Sequence, residues 1–149
     1  MNTKNNEGLT IKEHHNKGFL NNILQLKLGE HITKYENEKY FVILKDNILF
    51  GISRIVELSE KELNEGKWKE FNLHNRKKVF FLSGIWIDES IRNQGYAKRL
   101  IGERMSLINF KDTVISDVRK SSNLLTYYQE ELNMKIIEEN KSYCYLKRN

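Results

Sequence analysis

A short run of small and basic residues directly after an apolar segment has the composition of an anion-binding turn. The run contains the spacing Arg92-x-x-Gly95-x-Ala97, and the apolar segment before it ends at Ile87. The first turn of a helix has about four backbone N–H groups without partners in the helix, and the helix dipole adds positive partial charge there. A diphosphate can bind at such a helix N-terminus. Glycine lets the backbone approach the anion, and the alanine keeps the second contact small.

Two other phosphate-binding motifs do not occur in the sequence. A dinucleotide fingerprint has the form Gly-x-Gly-x-x-Gly, and a P-loop has the form Gly-x-x-x-x-Gly-Lys-Ser/Thr. Neither string is present. An ordinary strand–turn–helix connection remains the alternative, because Gly-x-Ala triplets are common.

Hydrophobic periodicity predicts the elements that would position this turn. Val79–Ile87 is apolar on both faces, which is typical of a central buried strand, and an amphipathic helix follows from Tyr96 to about Asn109. Upstream, the pattern predicts a strand over Gly8–Glu13, a helix over Asn16–Leu28 stopped by Gly29, a weaker helix over Glu30–Asn37, and a hairpin of Tyr40–Lys45 and Ile48–Val56 turning at Asp46-Asn47.

The segment Glu57–Lys78 is polar and long for a hairpin connection. Ser59-x-x-Glu62 predicts a capping box that opens a short helix ended by Gly66. Trp68 and Phe71 are the large apolar anchors of this segment.

After the central helix the sequence predicts a strand, a helix and a closing hairpin. The predicted ranges are a strand over Thr113–Val118, a helix over Leu124–Leu132 capped by Ser121, Ser122 or Asn123, and strands over Asn133–Glu138 and Ser142–Leu146.

The turn and the order of elements together resemble the GNAT superfamily, the acetyl-CoA-dependent N-acetyltransferases. Arg92-x-x-Gly95-x-Ala97 matches the family signature Arg/Gln-x-x-Gly-x-Gly/Ala, and the order of elements matches along nearly the whole chain. The resemblance implies an α+β (mixed α/β) fold of the acyl-CoA N-acyltransferase type. Its central mixed sheet is mostly antiparallel and flanked by helices, with two parallel central strands splayed at the cofactor site. A length of 149 residues predicts a single N-acetyltransferase domain over residues 1–149.

The resemblance also implies how acetyl-CoA binds. The main chain of Ile85, Trp86 and Ile87 would pair with the pantetheine arm, and an amide there would polarise the thioester carbonyl. The residues that would hold the diphosphate, mainly through N–H groups, are Arg92, Asn93, Gln94, Gly95, Tyr96, Ala97 and Lys98.

A second match lies near the C-terminus, where Asn123 through Met134 resembles the family block Asn…Tyr-x-x-x-Gly-Phe. Asn133-Met134 stands where Gly-Phe is usual, and Asn123 is closer to the tyrosines than the common spacing, so Ser121 or Ser122 are alternatives for its position near the cofactor. In the family this tyrosine faces the leaving thiol. A phenol with a pKa near 10 is protonated at neutral pH and can donate to a thiolate.

Tyr128 is the first candidate for this acid and Tyr127 the second. Adjacent helical residues point about 100° apart, so at most one of them is catalytic.

The sequence offers two candidate general bases, Glu57 and Asp117, each near a strand end. The pattern favours a solvated strand-end carboxylate at each position over a base, and a water chain could carry the proton instead. The Glu57–Lys78 segment is expected to flank the acceptor site. The four histidines are isolated from other ligand types, so no metal site is predicted.

The function predicted from these residues is transfer of an acetyl group from acetyl-CoA to a primary amine of a small molecule or peptide, by direct attack in a ternary complex. The alternative is a non-catalytic CoA-binding sensor or scaffold on the same fold, suggested by the imperfect C-terminal block.

Charge and composition limit which further classes of partner the protein could have. The formal net charge is +5, but acidic residues are interleaved with the basic ones. This indicates a solvated surface and disfavours nucleic acid, even with the local excess Arg76-Lys77-Lys78. The polar start Met1–Glu7 and the absence of a long apolar run predict a cytoplasmic protein with no membrane partner. Cys144 is predicted to be a small buried hydrophobic residue. The composition suggests a bacterial source. The sequence leaves open whether the protein forms a homodimer.

Overall fold

The computed structural model describes residues 8–73 and 78–148. Predictions for Met1–Glu7, His74, Arg76 and Lys77 lie outside the described residues. In chain order the elements are β1 (Thr10–His14), α1 (Lys17–Leu28), β2 (Glu38–Lys45), β3 (Ile48–Glu57), α2 (Glu60–Leu63), α3 (Gly66–Phe71), β4 (Val79–Ile87), α4 (Tyr96–Met105), β5 (Thr113–Arg119), α5 (Leu124–Glu130), β6 (Lys135–Glu139) and β7 (Tyr143–Arg148).

The strands form one seven-stranded sheet in the order β1-β2-β3-β4-β5-β7-β6. The pairs β1–β2, β5–β7 and β6–β7 are antiparallel, and β4–β5 is parallel. This confirms the predicted mixed, mostly antiparallel sheet flanked by helices. Among the described residues, no helix combines the length and the apolar character needed to cross a bilayer.

The chain divides into two compact units. The first contains the residues up to Ile55 together with Gly84–Ile108, and the second contains Val56–Ser83 and the residues from Asn109 onward. The boundaries fall within β3 and β4, so the two strands contribute residues to both units.

In the first unit, α1 and α4 both pack against β2. One buried cluster joins α1 to the sheet, and its members are Leu20, Leu24, Ile32, Tyr40, Val42, Ile52 and Trp86. The predicted hairpin is confirmed: Asp46 and Asn47 have φ values of 52° and 64°, as a two-residue turn between twisted strands requires.

In the second unit, α5 packs against β5, and α3 places Trp68 against Phe81. The two rings meet edge to face with centroids 4.5 Å apart. The predicted capping box opens α2, since the hydroxyl of Ser59 accepts from the amide of Glu62 and the Glu62 carboxylate accepts from the amide of Ser59. Cys144 is buried, as predicted.

Two local predictions were wrong. Residues 30–37 form no helix. The carbonyl of Thr33 accepts from the buried side chain of Arg54, and the amide of Tyr35 donates to the buried carboxylate of Glu38, so neither group makes a helical backbone bond. Gly66 does not end a helix. It begins α3 with a φ of 51°, after α2 has ended at Leu63.

The helices after the central strand are shorter than predicted. The helix α4 ends at Met105 and α5 ends at Glu130. The cap of α5 comes from Ser122, whose hydroxyl accepts from the amide of Leu124 at 3.1 Å, whereas Asn123 makes no side-chain cap bond.

One glycine inside β4 allows α1 to pack closely on the strand. Gly84 has a φ of 91°, and a Cβ atom added there would lie 2.7 Å from Cδ2 of Leu24. This backbone conformation is strained for any residue with a side chain.

We therefore expect Gly84→Ala to lower the free energy of unfolding by about 1–3 kcal/mol, measured by urea denaturation. Gly18→Ala is the matched control, because Gly18 is in α1 and a Cβ there would meet nothing within 4 Å. The control should be neutral or stabilising by up to about 1 kcal/mol, since alanine favours the helix. Equal effects of the two substitutions would contradict the assignment.

Candidate active site

The connection between β4 and α4 is held to the first unit at three points. The amide of Asp88 donates to the carbonyl of Phe50 at 2.8 Å, directly after β4 ends. A single 3-10 turn, Glu89–Ile91, follows, and Ile91 is only 1% exposed. The Asp88 carboxylate accepts from both the amide and the hydroxyl of Ser90. These bonds lower the pKa of Asp88, with smaller contributions from Lys27 and Arg92.

The third point is the side chain of Arg92. Its Nε donates to the carbonyl of Ile87 at 2.9 Å, which ties the turn back to the last residue of β4. The backbone of the turn is thereby fixed relative to the strand end.

The residues after this tie lead into the start of α4. Residues 92–95 are exposed, Asn93 has a φ of 62°, and Gly95 is in the left-handed region with a φ of 85°. Arg99 donates its amide to the carbonyl of Gly95 at 3.1 Å, which is the first bond of the helix ladder. The amides of Tyr96 and Ala97 precede this bond in the first turn, where no ladder partner exists for them. A Cβ on Gly95 would meet nothing within 4 Å, so the space over the turn is open.

This turn has the features that a diphosphate requires. Backbone donors lie at the positive end of a ten-residue helix, and Lys98 is exposed beside them. The chain's own residues therefore fit the phosphate end of acetyl-CoA.

The end of β4 differs from its beginning. The parallel ladder with β5 runs from Val79↔Thr113 to Leu82↔Ser116, and Ile85–Ile87 follow after it. Ile85 and Ile87 are partly exposed, whereas the side chain of Trp86 is buried in the first unit's core. The ammonium of Lys27 lies 4.7 Å from the centroid of the Trp86 ring.

The predicted residues of the C-terminal block belong to the second unit. Asn123 is exposed, Tyr128 is 3% exposed, and Tyr127 is partly buried. Burial raises the pKa of Tyr127, and the nearby Glu131 and Tyr128 raise it further. The two rings meet edge to face at 6.3 Å.

The departure from Gly-Phe in this block has a structural explanation. Asn133 has a φ of 54°, a conformation that glycine adopts freely and that asparagine tolerates better than most residues. Met134 is 2% exposed and donates its amide to the carbonyl of Tyr128 at 3.1 Å. Asn133 can therefore adopt the left-handed conformation at the glycine position, and Met134 can fill the buried position of the phenylalanine.

The two candidate bases have different surroundings. The Glu57 side chain is 43% exposed, and its carboxylate lies 3.9 Å from the ammonium of Lys78. Asp117 is partly buried, and its carboxylate accepts from the hydroxyl of Ser83 at 3.4 Å. Ser83 and Asp117 each come one residue after the last pair of the parallel ladder.

The family model described as Acetyltransferase (GNAT) family matches residues 9–107. The chain belongs to this family. GNAT proteins use acetyl-CoA as the acetyl donor, and the protein is an acyltransferase by family. A comparison with curated proteins finds no match.

Solved GNAT structures share the fold over nearly the whole chain. NAA60 of Arabidopsis thaliana, in complex with acetyl-CoA, has a TM-score of 0.66 at 11% identity, covering 94% of this chain and 97% of that one. ElaA of Escherichia coli has a TM-score of 0.62 at 12% identity, covering 95% and 99%. The ribosomal-protein-S18-alanine N-acetyltransferase of Escherichia coli has a TM-score of 0.61 at 11% identity, covering 93% and 92%.

The GNAT protein also contains a buried ion pair that sequence analysis did not identify. Arg54 and Glu38 are 1% and 4% exposed, with Nη1 and Oε2 separated by 2.9 Å. The Arg54 Nη1 also donates to the carbonyl of Thr33 at 2.6 Å. Alternation in β2 and β3 could have indicated that these positions face inward, but not that the two charges meet.

Tyr40 extends this buried network towards α1. Its hydroxyl donates to Glu38 Oε1 at 3.2 Å and accepts from Asn21 Nδ2 at 3.2 Å. The pKa of the Tyr40 phenol is raised to about 12, and burial is the largest cause. The bonds of this network join α1, β2 and β3 within the first unit.

The raised pKa predicts a pH dependence of stability. Between pH 10 and pH 12 the unfolded chain releases the Tyr40 proton while the folded protein keeps it, so the free energy of unfolding falls as pH rises through this window. The loss should approach roughly 3 kcal/mol, measured by urea denaturation against pH. Tyr40→Phe is less stable below pH 10 and should show a smaller slope in the window. An identical slope in the variant would contradict the prediction.

Proposed function

We propose that the protein transfers the acetyl group of acetyl-CoA to a primary amine of a small molecule or peptide, by direct attack in a ternary complex. The observation that carries the proposal is the turn at the start of α4, with a left-handed Gly95 after the exposed residues 92–94 and with Lys98 exposed in the first turn of the helix. Two of the similar solved structures support an amine acceptor: the ribosomal-protein-S18-alanine N-acetyltransferase of Escherichia coli, and Naa50 of Arabidopsis thaliana in complex with the bisubstrate analogue CoA-Ac-MVNAL. The cytoplasmic location expected from the sequence is part of the proposal.

In this proposal the donor is held by main-chain groups. The amides from Asn93 to Lys98 bind the diphosphate, and the cations of Arg92 and Lys98 add charge. Asn123 is proposed to lie near the bound donor, as its position in the C-terminal block suggests. The main chain of Ile85–Ile87 binds the pantetheine arm, and one of its amides polarises the thioester carbonyl. Donors of this kind need little reorganisation during the reaction.

The reaction forms one bond and breaks one bond. The neutral amine attacks the thioester carbonyl carbon, a C–N bond forms, and the C–S bond breaks. The amine must lose a proton, and the departing thiolate must gain one. Two residues of the chain are therefore proposed for proton transfer.

Asp117 is the proposed base. It is favoured over Glu57 because Glu57 is more exposed and pairs with Lys78, whereas the Asp117 carboxylate is partly buried and bonded to Ser83. Asp117 also comes directly after the residue at which the parallel ladder ends, where the proposal places the thioester.

Tyr128 is the proposed acid, with Tyr127 as the second choice. The support is the resemblance of the C-terminal block to the family's pattern, together with the left-handed Asn133 that preserves its geometry. A phenol can donate a proton to a departing thiolate.

Ala97→Glu tests the diphosphate site. A carboxylate in the first turn of α4 would repel the diphosphate, so the affinity for acetyl-CoA should fall by at least about tenfold in isothermal titration. The same carboxylate favours the positive end of the helix, so the melting temperature should not fall.

Gly102→Glu is the matched control for net charge. Gly102 is exposed on the same helix, and a Cβ there meets nothing within 4 Å. This variant should keep nearly the wild-type affinity. Equal affinities of the two variants, or no binding of acetyl-CoA by the wild-type protein at millimolar concentration, would refute the proposed site.

Tyr128→Phe and Tyr127→Phe test the proposed acid. With acetyl-CoA and a panel of amines, release of free thiol should fall about tenfold or more in the Tyr128 variant and less in the Tyr127 variant. Acetyl-CoA affinity, measured in parallel, should stay unchanged in both.

The tyrosine assignment fails if neither variant slows thiol release. If the wild-type protein binds acetyl-CoA and releases no thiol with any amine, the protein is a CoA-binding sensor or scaffold on the same fold.

A further inference from the structure

A row of paired side chains crosses one face of the sheet in the second unit. Asp117 on β5 pairs with Tyr145 on β7, and Tyr145 pairs with Glu138 on β6. Directly paired residues point to the same face of a sheet, and neighbouring strands are about 4.8 Å apart. The two acidic positions are therefore about 10 Å apart, with a phenol ring between them.

A bulge in β6 places Glu138 in this row. The ladder passes from Ile136↔Leu146 to Glu138↔Tyr145, which leaves Ile137 as the extra residue. In a regular ladder Ile137 would pair with Tyr145, and Glu138 would be opposite Cys144, on the other face of the sheet. Bulges of this kind redirect a side chain at the cost of one ladder position.

An ammonium group already occupies the Glu138 end of the row. The Nζ of Lys67, on α3, lies 2.6 Å from Oε2 of Glu138 and 4.5 Å from the centroid of the Tyr145 ring. The Phe71 ring packs edge to face on Tyr145 at 5.4 Å and is 5.8 Å from the same ammonium. A carboxylate beside aromatic faces is the environment that binds alkylammonium ions.

The acidic groups of the row act on its ammonium and its phenol, and a pair of lysines borders the row. The hydrogen bond to Glu138 raises the pKa of Lys67, with help from Tyr145 and Glu70. Burial raises the pKa of Tyr145, Asp117 and Glu138 raise it further, and Lys67 opposes them. The negative charge of the row is limited to one end of the β6–β7 ladder. On the far side of Ile136↔Leu146 the next pair is basic, Lys135↔Lys147.

We propose that the acceptor is a diamine, a linear molecule with two primary amines. One amine is deprotonated at Asp117 and attacks the thioester, as the proposed function requires, and this inference rests on that function. The second amine stays protonated and binds Glu138 and the Tyr145 ring in place of the Lys67 ammonium, and the alkyl chain lies along the row. Lys67 is therefore an internal competitor of the acceptor.

The balance of the step follows from these roles. The reacting ammonium first gives one proton to Asp117, and its nitrogen forms the amide bond as the C–S bond breaks. The thiolate leaves as thiol with a proton from the proposed tyrosine acid. The second proton of the attacking nitrogen then restores the phenol, and the proton on Asp117 is released to solvent. The distal ammonium is unchanged, so the product is a monoacetylated diamine that still carries one charge.

Paired amines of equal chain length test this proposal. Thiol release is measured with α,ω-diamines of about four to eight carbons and with the monoamine of each length, which lacks only the distal charge. We expect kcat/KM for the best diamine to exceed that of its monoamine by about tenfold or more, as a partly exposed charged contact can supply.

Three variants identify the groups responsible. Glu138→Gln should bring the diamine-to-monoamine ratio of kcat/KM close to one. Lys67→Met should lower KM for diamines by several-fold, because the internal competitor is removed. Glu139→Gln is the matched control, since Glu139 pairs with Cys144 on the other face and lies 3.8 Å from Lys120. That variant should keep the wild-type ratio.

A purely structural role for the Lys67–Glu138 pair would change stability without changing the ratio. Equal turnover of diamines and monoamines by the wild-type protein, or a wild-type ratio in Glu138→Gln, overturns the diamine proposal and leaves the acetyltransferase proposal standing. No thiol release with any amine overturns both.

Discussion

The left-handed conformation of Gly95 is the constraint on which the donor half of the candidate site depends. It turns the chain into α4, and a Cβ added to Gly95 would meet nothing within 4 Å. A residue with a Cβ could adopt this conformation only with strain. The turn is also held from behind, because Ile91 is buried and Arg92 is bonded to the last carbonyl of β4. Backbone groups fixed in this way can bind an anion without first being ordered by it.

Buried polar groups determine the path of the chain after α1. The segment between α1 and β2 has no regular structure, and its backbone bonds to the side chains of Glu38 and Arg54. Removing one member of a buried ion pair leaves the other charge unpaired, so such pairs tend to change stability sharply when only one partner is altered. The loop conformation is thus coupled to the core of the first unit.

The second unit combines two features that separately would carry little information. A partly exposed pair such as Lys67–Glu138 contributes little to stability, and a bulge in an edge strand often serves only to interrupt pairing. Together they place an ammonium against a phenol ring, in line with Asp117. A carboxylate beside an aromatic ring is an environment that binds protonated amines.

Much of the fold could be predicted because its signals are local. Val79–Ile87 was predicted to the residue from its apolar run, the start of α4 at Tyr96 from the turn before it, and the Asp46-Asn47 hairpin from residues that tolerate positive φ. The helix expected over 30–37 was wrong because the carbonyl of Thr33 bonds to Arg54, which is distant in sequence, and the amide of Tyr35 bonds to the side chain of Glu38. The stop signal at Gly66 was wrong because a glycine with positive φ can also begin a helix.

The sequence by itself determined the family, most of the strands and helices and the turn before Tyr96, since each depends on neighbouring residues and on hydrophobic periodicity. Only the tertiary structure decided that Glu38 meets Arg54, that Tyr128 is buried while Tyr127 is not, and that Glu138 shares a row with Tyr145 and Asp117. These arrangements depend on strand register and on packing between distant segments. A shift of one residue in register moves a side chain to the opposite face, and no local pattern in the sequence records that shift.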